Sequence, residues 1–109
     1  MKFGKLETFK NGWVVGNFKN CLFNSKDNDI GVLYPKEGEV SDNHFHKEHT
    51  EYNIILDGTA VVNNKTLYKG DIFIYEPFDK SEVKFLSNTI LLVIKNPSTK
   101  NDKHYEKSN

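Results

Sequence analysis

Short apolar runs alternate with turn-forming residues along the whole chain, and this rhythm limits the folds that it can adopt. Strand-sized runs of apolar or alternating residues occur at 13–15, 30–34, 52–56, 59–62, 71–75, 82–86 and 89–95. Segments rich in Asn, Asp and Gly separate them, and these residue types tolerate the backbone dihedrals of turns. No window of about 11 to 18 residues keeps apolar residues at helical spacing. The sequence therefore predicts an all-β domain, a sandwich or a barrel.

Composition supports one small domain of this class. The chain has 109 residues, which fits one hydrophobic core. It contains a single alanine, Ala60, while β-branched and aromatic residues are plentiful, which favours strands over helices. We expect a β-barrel over residues 1–95, followed by a polar C-terminal tail at 96–109. The hydrophobic share is only 37%, and β-sheets have edges that need covering, so we also expect a homodimer.

The charge pattern excludes several classes of partner. Fifteen basic residues, all lysine, balance fifteen acidic residues, so neither a net field nor an arginine fork is present to attract nucleic acid. The longest apolar run, Ile90 to Ile94, is far shorter than the roughly 20 residues that span a bilayer. Cys21 is the only cysteine, and the first residues lack an apolar run of signal-peptide length. We expect a cytoplasmic protein with no membrane or nucleic-acid partner.

Three of the four histidines lie between residues 38 and 58. In an extended strand, His44 and His46 point to the same side and Phe45 to the other. After a turn, a returning antiparallel strand can place the carboxylate of Glu51 beside that pair. Two histidines and one carboxylate are a ligand set for a divalent ion such as Fe, Mn, Ni or Zn, with coordination positions left open. His49, in the intervening turn, is expected to be exposed to solvent.

The spacing Gly38-x5-His44-x-His46-x4-Glu51-x6-Gly58 reproduces the first motif of the cupin superfamily. The segments 13–18, 70–73 and 95–98, with Asp102-Lys103 near the end, extend the likeness, and together they resemble small single-domain cupins associated with surface-sugar biosynthesis. The resemblance implies a double-stranded β-helix, also called a jelly-roll barrel, with a ligand site inside one end. It also implies a homodimer as the common assembly.

The second cupin motif departs from the family pattern. In the family this motif ends on a histidine that serves as the remaining metal ligand, whereas residues 70–82 contain no histidine. Counted from Gly70 the position falls on Ser81, and counted from Pro77 it falls on Glu82. Glu82 would add an oxygen ligand to His44, His46 and Glu51. Ser81 would leave a three-ligand site or a polar pocket without metal.

These features predict a small metal-binding cupin whose pocket takes a polar small molecule, with a sugar or a sugar-derived acid as the leading candidate. As an enzyme, it would use the ion as a Lewis acid in isomerisation or epimerisation, with Glu82 or Asn53 holding or moving protons. Asn53 is equally suited to orient Glu51 through a hydrogen bond. The alternatives are an Fe(II)-dependent dioxygenase and a non-enzymatic sugar-binding or sensing module. No organic cofactor is indicated, because no glycine pattern forms a phosphate loop.

Overall fold

A computed structural model describes residues 1–105 as two facing β-sheets. Two short 3₁₀ turns, Leu6–Thr8 and Lys10–Gly12, precede the strands. The strands are β1 (Trp13–Gly16), β2 (Phe23–Asn24), β3 (Asp29–Leu33), β4 (Val40–Phe45), β5 (Thr50–Asp57), β6 (Ala60–Val62), β7 (Lys65–Leu67), β8 (Ile72–Tyr75), β9 (Ser81–Phe85), β10 (Ile90–Asn96) and β11 (His104–Tyr105). The predicted all-β class is confirmed.

The first sheet has the strand order β2-β1-β3-β10-β5-β8, and the second has the order β11-β4-β9-β6-β7. Apart from the parallel pair of β1 and β2, neighbouring strands are antiparallel. Each run predicted from the sequence overlaps one of the strands. Asn63 and Asn64 both adopt positive φ and form the two-residue turn that joins β6 to β7.

The core lies between the inner faces of the two sheets. Its buried members come from five strands and are Ile55, Ala60, Leu67, Val83, Phe85, Leu91 and Val93. Along β5, β9 and β10 buried residues alternate with more exposed ones, as expected when one face of each strand meets the core. This alternation decides which polar side chains at the ends of these strands point inward.

The segment after β10 differs from the predicted tail. β11 pairs with β4, with His104 opposite Phe45, so the chain returns to the second sheet. Asp102 is buried, and its carboxylate accepts backbone hydrogen bonds from the turn after β4, which holds the segment in place. Residues 106–109 of the predicted tail lie outside the described residues. Within residues 1–105 no helix has the length and apolar character needed to cross a membrane.

The outer face of the first sheet carries two rows of apolar side chains across four neighbouring strands. Register places Ile30, Ile94, Tyr52 and Ile74 in one row and Val32, Leu92, Ile54 and Ile72 in the other. The exposed fraction reaches 58% at Ile72 and 52% at Ile74, both on the edge strand β8. An exposed apolar surface of this kind is a candidate interaction site.

The homodimer expected from the sequence stays a prediction. The outer face of the first sheet is its candidate contact surface, because in a two-fold symmetric dimer the same patch of each chain contacts its copy, and an uncharged patch can do so without charge repulsion. Analytical ultracentrifugation should give about twice the chain mass of 12.6 kDa. Ile74→Lys should shift the protein to monomer, since it would bury lysine charges at the contact. Val40→Lys, at a 55% exposed valine of the second sheet, is the matched control and should stay dimeric. A monomeric wild-type protein would contradict the prediction.

Two motif glycines allow a matched test of turn packing. Gly58 has φ +101, and a Cβ there would lie 2.5 Å from Oγ1 of Thr89. Gly70 has φ +89, but a Cβ there would meet nothing within 4 Å. Gly70→Ala should cost only backbone strain, about 1 to 3 kcal/mol in the free energy of unfolding. Gly58→Ala should cost about 1 to 3 kcal/mol more, because its methyl group also overpacks the neighbouring turn. Urea unfolding measures both, and equal losses would contradict this account of Gly58.

Candidate metal centre

Three buried side chains, His46, His49 and Glu51, meet in a cavity between the two sheets. Each offers one ligand atom, and the three atoms lie within 4.8 Å of one another. His46 follows β4 in the second sheet, His49 lies in the turn, and Glu51 lies in β5 of the first sheet. We predicted Glu51 on a returning strand beside the histidines. Instead the turn crosses between the sheets, so the carboxylate faces the histidines from the opposite side.

The expectation that His49 is exposed is wrong, since only 2% of it is accessible. Its ring packs on that of His46 with 4.1 Å between ring centroids. Its Nδ1 lies 3.0 Å from Oδ2 of Asp102 and 2.6 Å from Oγ1 of Thr99. The sequence around His49 carries no sign of these contacts, because both partners come from the segment after β10. Only their return to the second sheet turns a loop histidine into a cavity residue.

Asp102 fixes both the turn and the imidazole of His49. Its carboxylate accepts the backbone N–H groups of Lys47 at 2.9 Å, Glu48 at 2.9 Å and His49 at 3.2 Å. Burial alone would raise the pKa of Asp102, but these hydrogen bonds and His49 lower it below its usual value. The ionised carboxylate can only accept, so the ring hydrogen of His49 belongs on Nδ1. Its Nε2 then presents a lone pair to the cavity, 4.0 Å from Oε1 of Glu51.

Two ring nitrogens in this cluster have no hydrogen-bond partner among the described residues: Nδ1 of His46 and Nε2 of His49. Leaving a buried polar atom unpaired costs about 1 to 3 kcal/mol. Glu51 is held beside them by Asn53, whose Nδ2 donates to Oε2 at 3.3 Å, as one of the two roles expected for Asn53. Two unpaired nitrogens facing a carboxylate fit a divalent metal ion, whose bonds would satisfy them.

The protonation states of the two histidines also favour metal binding by the cluster. The pKa of His46 is lowered from 6.5 to about 3, first by burial and then by the charges of His49, His44 and Lys95. The pKa of His49 is also lowered, by burial and then by Lys95, against the opposing effect of Glu51 and Asp102. Both rings are therefore neutral at pH 7, which is the form that binds metal.

His44 flanks this cluster instead of joining it. It is buried on the same side as His46, with Phe45 more exposed, as the strand alternation predicted. However, its Nδ1 lies 2.8 Å from the backbone oxygen of Asp42, and its Nε2 lies 3.3 Å from the hydroxyl of Tyr75. Burial, and then the nearby Glu51 carboxylate, raise the pKa of Tyr75, so its hydroxyl keeps its proton. The phenol can donate its one proton either to Nε2 of His44 or to the carboxylate of Glu51, which is also its hydrogen-bond partner.

Glu82, a predicted ligand and a predicted catalytic group, is placed outside the cavity. On β9 the buried residues are Ser81, Val83 and Phe85, so Glu82 between them points to solvent. Ser81 lies opposite His44 in the sheet register, is 2% exposed, and its Oγ has no hydrogen-bond partner among the described residues. The correction follows from strand alternation: the position counted from Gly70 faces inward, and the position counted from Pro77 does not.

The cavity has a volume of about 1130 Å³ and two kinds of wall. Polar side chains surround the histidine cluster, and an apolar wall is formed by Trp13, Leu33, Phe73, Phe85 and Leu91. Lys95, which we did not predict as a site residue, also lines the cavity. Its position on β10, two residues after Val93 and four after Leu91, could have identified it, because all three lie on the inner face.

No protein-family model matches the chain, and no curated protein is significantly similar to it in sequence. Solved structures do match its fold. KdgF from Halomonas sp. is 17% identical with a TM-score of 0.66, over 72% of this chain and 77% of that one. An RmlC-like cupin from Shewanella frigidimarina is 20% identical with a TM-score of 0.65, over 70% and 71% of the two chains.

The bacterial pirin YhhW from Escherichia coli, solved in complex with nickel(II), is 13% identical with a TM-score of 0.65. That match covers 81% of this chain but only 39% of the pirin. At these identities the likeness shows the fold alone. It confirms the cupin-type double-stranded β-helix that the first motif implied.

Stability without metal should depend on pH through the buried histidines. Below about pH 6.5 the unfolded chain binds a proton at His46 that the folded protein, with a pKa of about 3 at this residue, does not bind, so the folded state loses stability as the pH falls from about 6.5 to about 3. The unfolding free energy, measured by urea titration in the presence of a chelator, should therefore decrease from about pH 7 to about pH 4. His46→Gln should flatten this slope. An unchanged slope in that variant would contradict the assignment.

Proposed function

We propose that this chain, a small domain of cupin fold, binds a divalent metal ion through His46, His49 and Glu51 and binds a small polar molecule beside it. The observation that carries the proposal is the pair of buried, unpartnered ring nitrogens that face one carboxylate. A set of two nitrogens and one oxygen suits Zn, Mn, Fe or Ni and leaves coordination positions for a ligand. The nickel complex of the pirin that shares this fold supports the same choice.

We further propose that the small molecule is a sugar or a sugar-derived acid. The polar groups around the metal residues can hydrogen-bond to hydroxyl groups, whereas Trp13 and Phe73 offer aromatic surface to the apolar faces of a sugar ring. A cavity with mostly apolar walls and a few convergent polar groups is the usual form of a small-molecule site. Its volume of about 1130 Å³ leaves room for a sugar together with water.

An isomerase or epimerase activity fits the groups beside the metal residues. The ion would supply Lewis acidity toward a carbonyl or hydroxyl oxygen of the ligand. Tyr75 keeps its proton, and His44 is fixed in one tautomer because the Asp42 carbonyl accepts from its Nδ1, so the two together can pass a proton at the cavity wall. They replace Glu82 as the proton-transfer candidates. Asn53 acts through Glu51, to which it donates a hydrogen bond.

The alternatives give different outcomes with the same preparation. A sugar-binding or sensing module would bind its ligand and return it unchanged. An Fe(II)-dependent dioxygenase would consume dioxygen in the presence of its substrate, whereas an isomerase or epimerase would not.

The metal proposal is tested by calorimetric titration of chelator-treated protein with Ni²⁺, Mn²⁺, Zn²⁺ and Fe²⁺, the last without oxygen. One ion should bind per chain. His49→Ala and Glu51→Gln should each weaken binding on the order of tenfold or more, because each removes a ligand from a three-ligand set. His44→Ala should have a smaller effect, since Tyr75 and Asp42 already occupy its nitrogens.

Glu82→Gln is the matched control for Glu51→Gln, because it makes the same chemical change on the outer face of β9. Its metal affinity should equal that of the unmodified protein. A large loss in Glu82→Gln, or none in His49→Ala, would overturn the ligand assignment. If no metal binds and none raises the melting temperature, the metal proposal fails, and a polar pocket without metal becomes the better account.

A further inference from the structure

Lys95 places a positive charge inside the cavity, next to the metal residues. It lies on the inner face of β10, directly opposite Glu51 in the register with β5 and opposite Asp29 in the register with β3. The Lys95 ammonium is close enough to the cluster to lower the pKa of both His46 and His49. A lysine on the inner face of a core strand is uncommon unless its charge has a partner.

The ammonium group of Lys95 rests on an aromatic ring instead of a carboxylate. Its Nζ lies 4.8 Å from the centre of the Trp13 ring, and it forms no ion pair with the described residues. Gly31 makes this contact possible, because a Cβ at that position would lie 2.7 Å from a carbon of the Trp13 ring. The indole can therefore lie across β3 and reach the lysine.

The acidic residues near Lys95 are engaged elsewhere. Asp29 accepts a hydrogen bond of 2.6 Å from the hydroxyl of Ser98, and Asp102 accepts the three backbone N–H groups of the turn. Glu51 accepts from Asn53 and faces the two unpaired histidine nitrogens. A cation–π contact attracts the ammonium but does not neutralise it or accept its three N–H donors in the way an anion does. Lys95 forms no ion pair with these carboxylates, so its N–H donors are left for a group that enters the cavity.

We propose that Lys95 recognises a carboxylate on the ligand, so that the cavity selects sugar-derived acids over neutral sugars. This inference rests on the proposed function, in which the metal centre binds the ligand through hydroxyl or carbonyl oxygens. Lys95 then binds the carboxylate of the same ligand. Trp13 holds the ammonium in place and offers its remaining surface to the sugar ring. A charge-assisted hydrogen bond between the ammonium and a ligand carboxylate contributes enough for about a tenfold preference.

The test compares D-glucuronate with D-glucose, and D-galacturonate with D-galactose, as calorimetric ligands of the nickel-loaded protein. Members of each pair differ only in a carboxylate or a hydroxymethyl group. The acid should bind about tenfold more tightly in at least one pair. Lys95→Met should abolish this preference while leaving the weaker neutral-sugar binding in place, because methionine keeps an apolar chain over Trp13 without the charge. Lys95→Arg restores a cation and should recover much of the preference.

Metal titration of Lys95→Met separates this inference from the proposed function. Its affinity for Ni²⁺ should be equal to or higher than that of the unmodified protein, since the substitution removes a positive charge near the ligands. If metal binds normally but Lys95→Met keeps the full acid preference, or neither acid is preferred, the role of Lys95 is overturned and the metal centre stands. If nickel does not bind to the unmodified protein, the proposed function fails, and the inference fails with it.

Discussion

The cavity depends on the hydrogen bonds that the carboxylate of Asp102 accepts. This carboxylate satisfies three consecutive backbone N–H groups in a turn that crosses between the sheets, where no strand neighbour could accept them. The same group fixes the ring of His49, so one side chain determines both the path of the turn and the direction of a ligand atom. Without this carboxylate, the three N–H groups of the turn would lose their hydrogen-bond acceptor, and no ionic contact would hold the ring of His49 in the cavity.

This dependence places the site under control of a segment far away in the sequence. Thr99 and Asp102 lie about fifty residues after His49, and both contact its Nδ1. Second-sphere groups of this type set the tautomer and orientation of a metal-binding histidine, and their loss typically lowers metal affinity by about 10- to 100-fold. The segment after β10 is thus part of the site and not an appendage of the barrel.

Local pattern predicted the strands well because each run carries its own period and its own turn residues. Gly38 through Gly58 likewise identified the cupin fold and placed His46 and Glu51 near each other. Two of the errors concern contacts between segments that are distant in sequence, and the third concerns the phase of a single strand. His49 and residues 96–105 were misjudged because nothing local shows that Asp102 returns to the turn. Glu82 was chosen by counting from Pro77, whereas the phase of β9 is set by the buried Val83 and Phe85.

Because the turn crosses between the sheets, the residues of the cluster come from both sheets, and a metal ion bound to them would connect the two. His46 leaves the sheet that contains β4, and Glu51 belongs to the sheet that contains β5, so an ion held by both would act as a clamp across the barrel. The distance between the two sheets would then affect the distances between the ion and its ligands. A change that increases the distance between the sheets would weaken metal binding, and tighter metal binding would oppose separation of the sheets. Each substitution in the apolar layer between the sheets can therefore tune the affinity of a centre that it never touches.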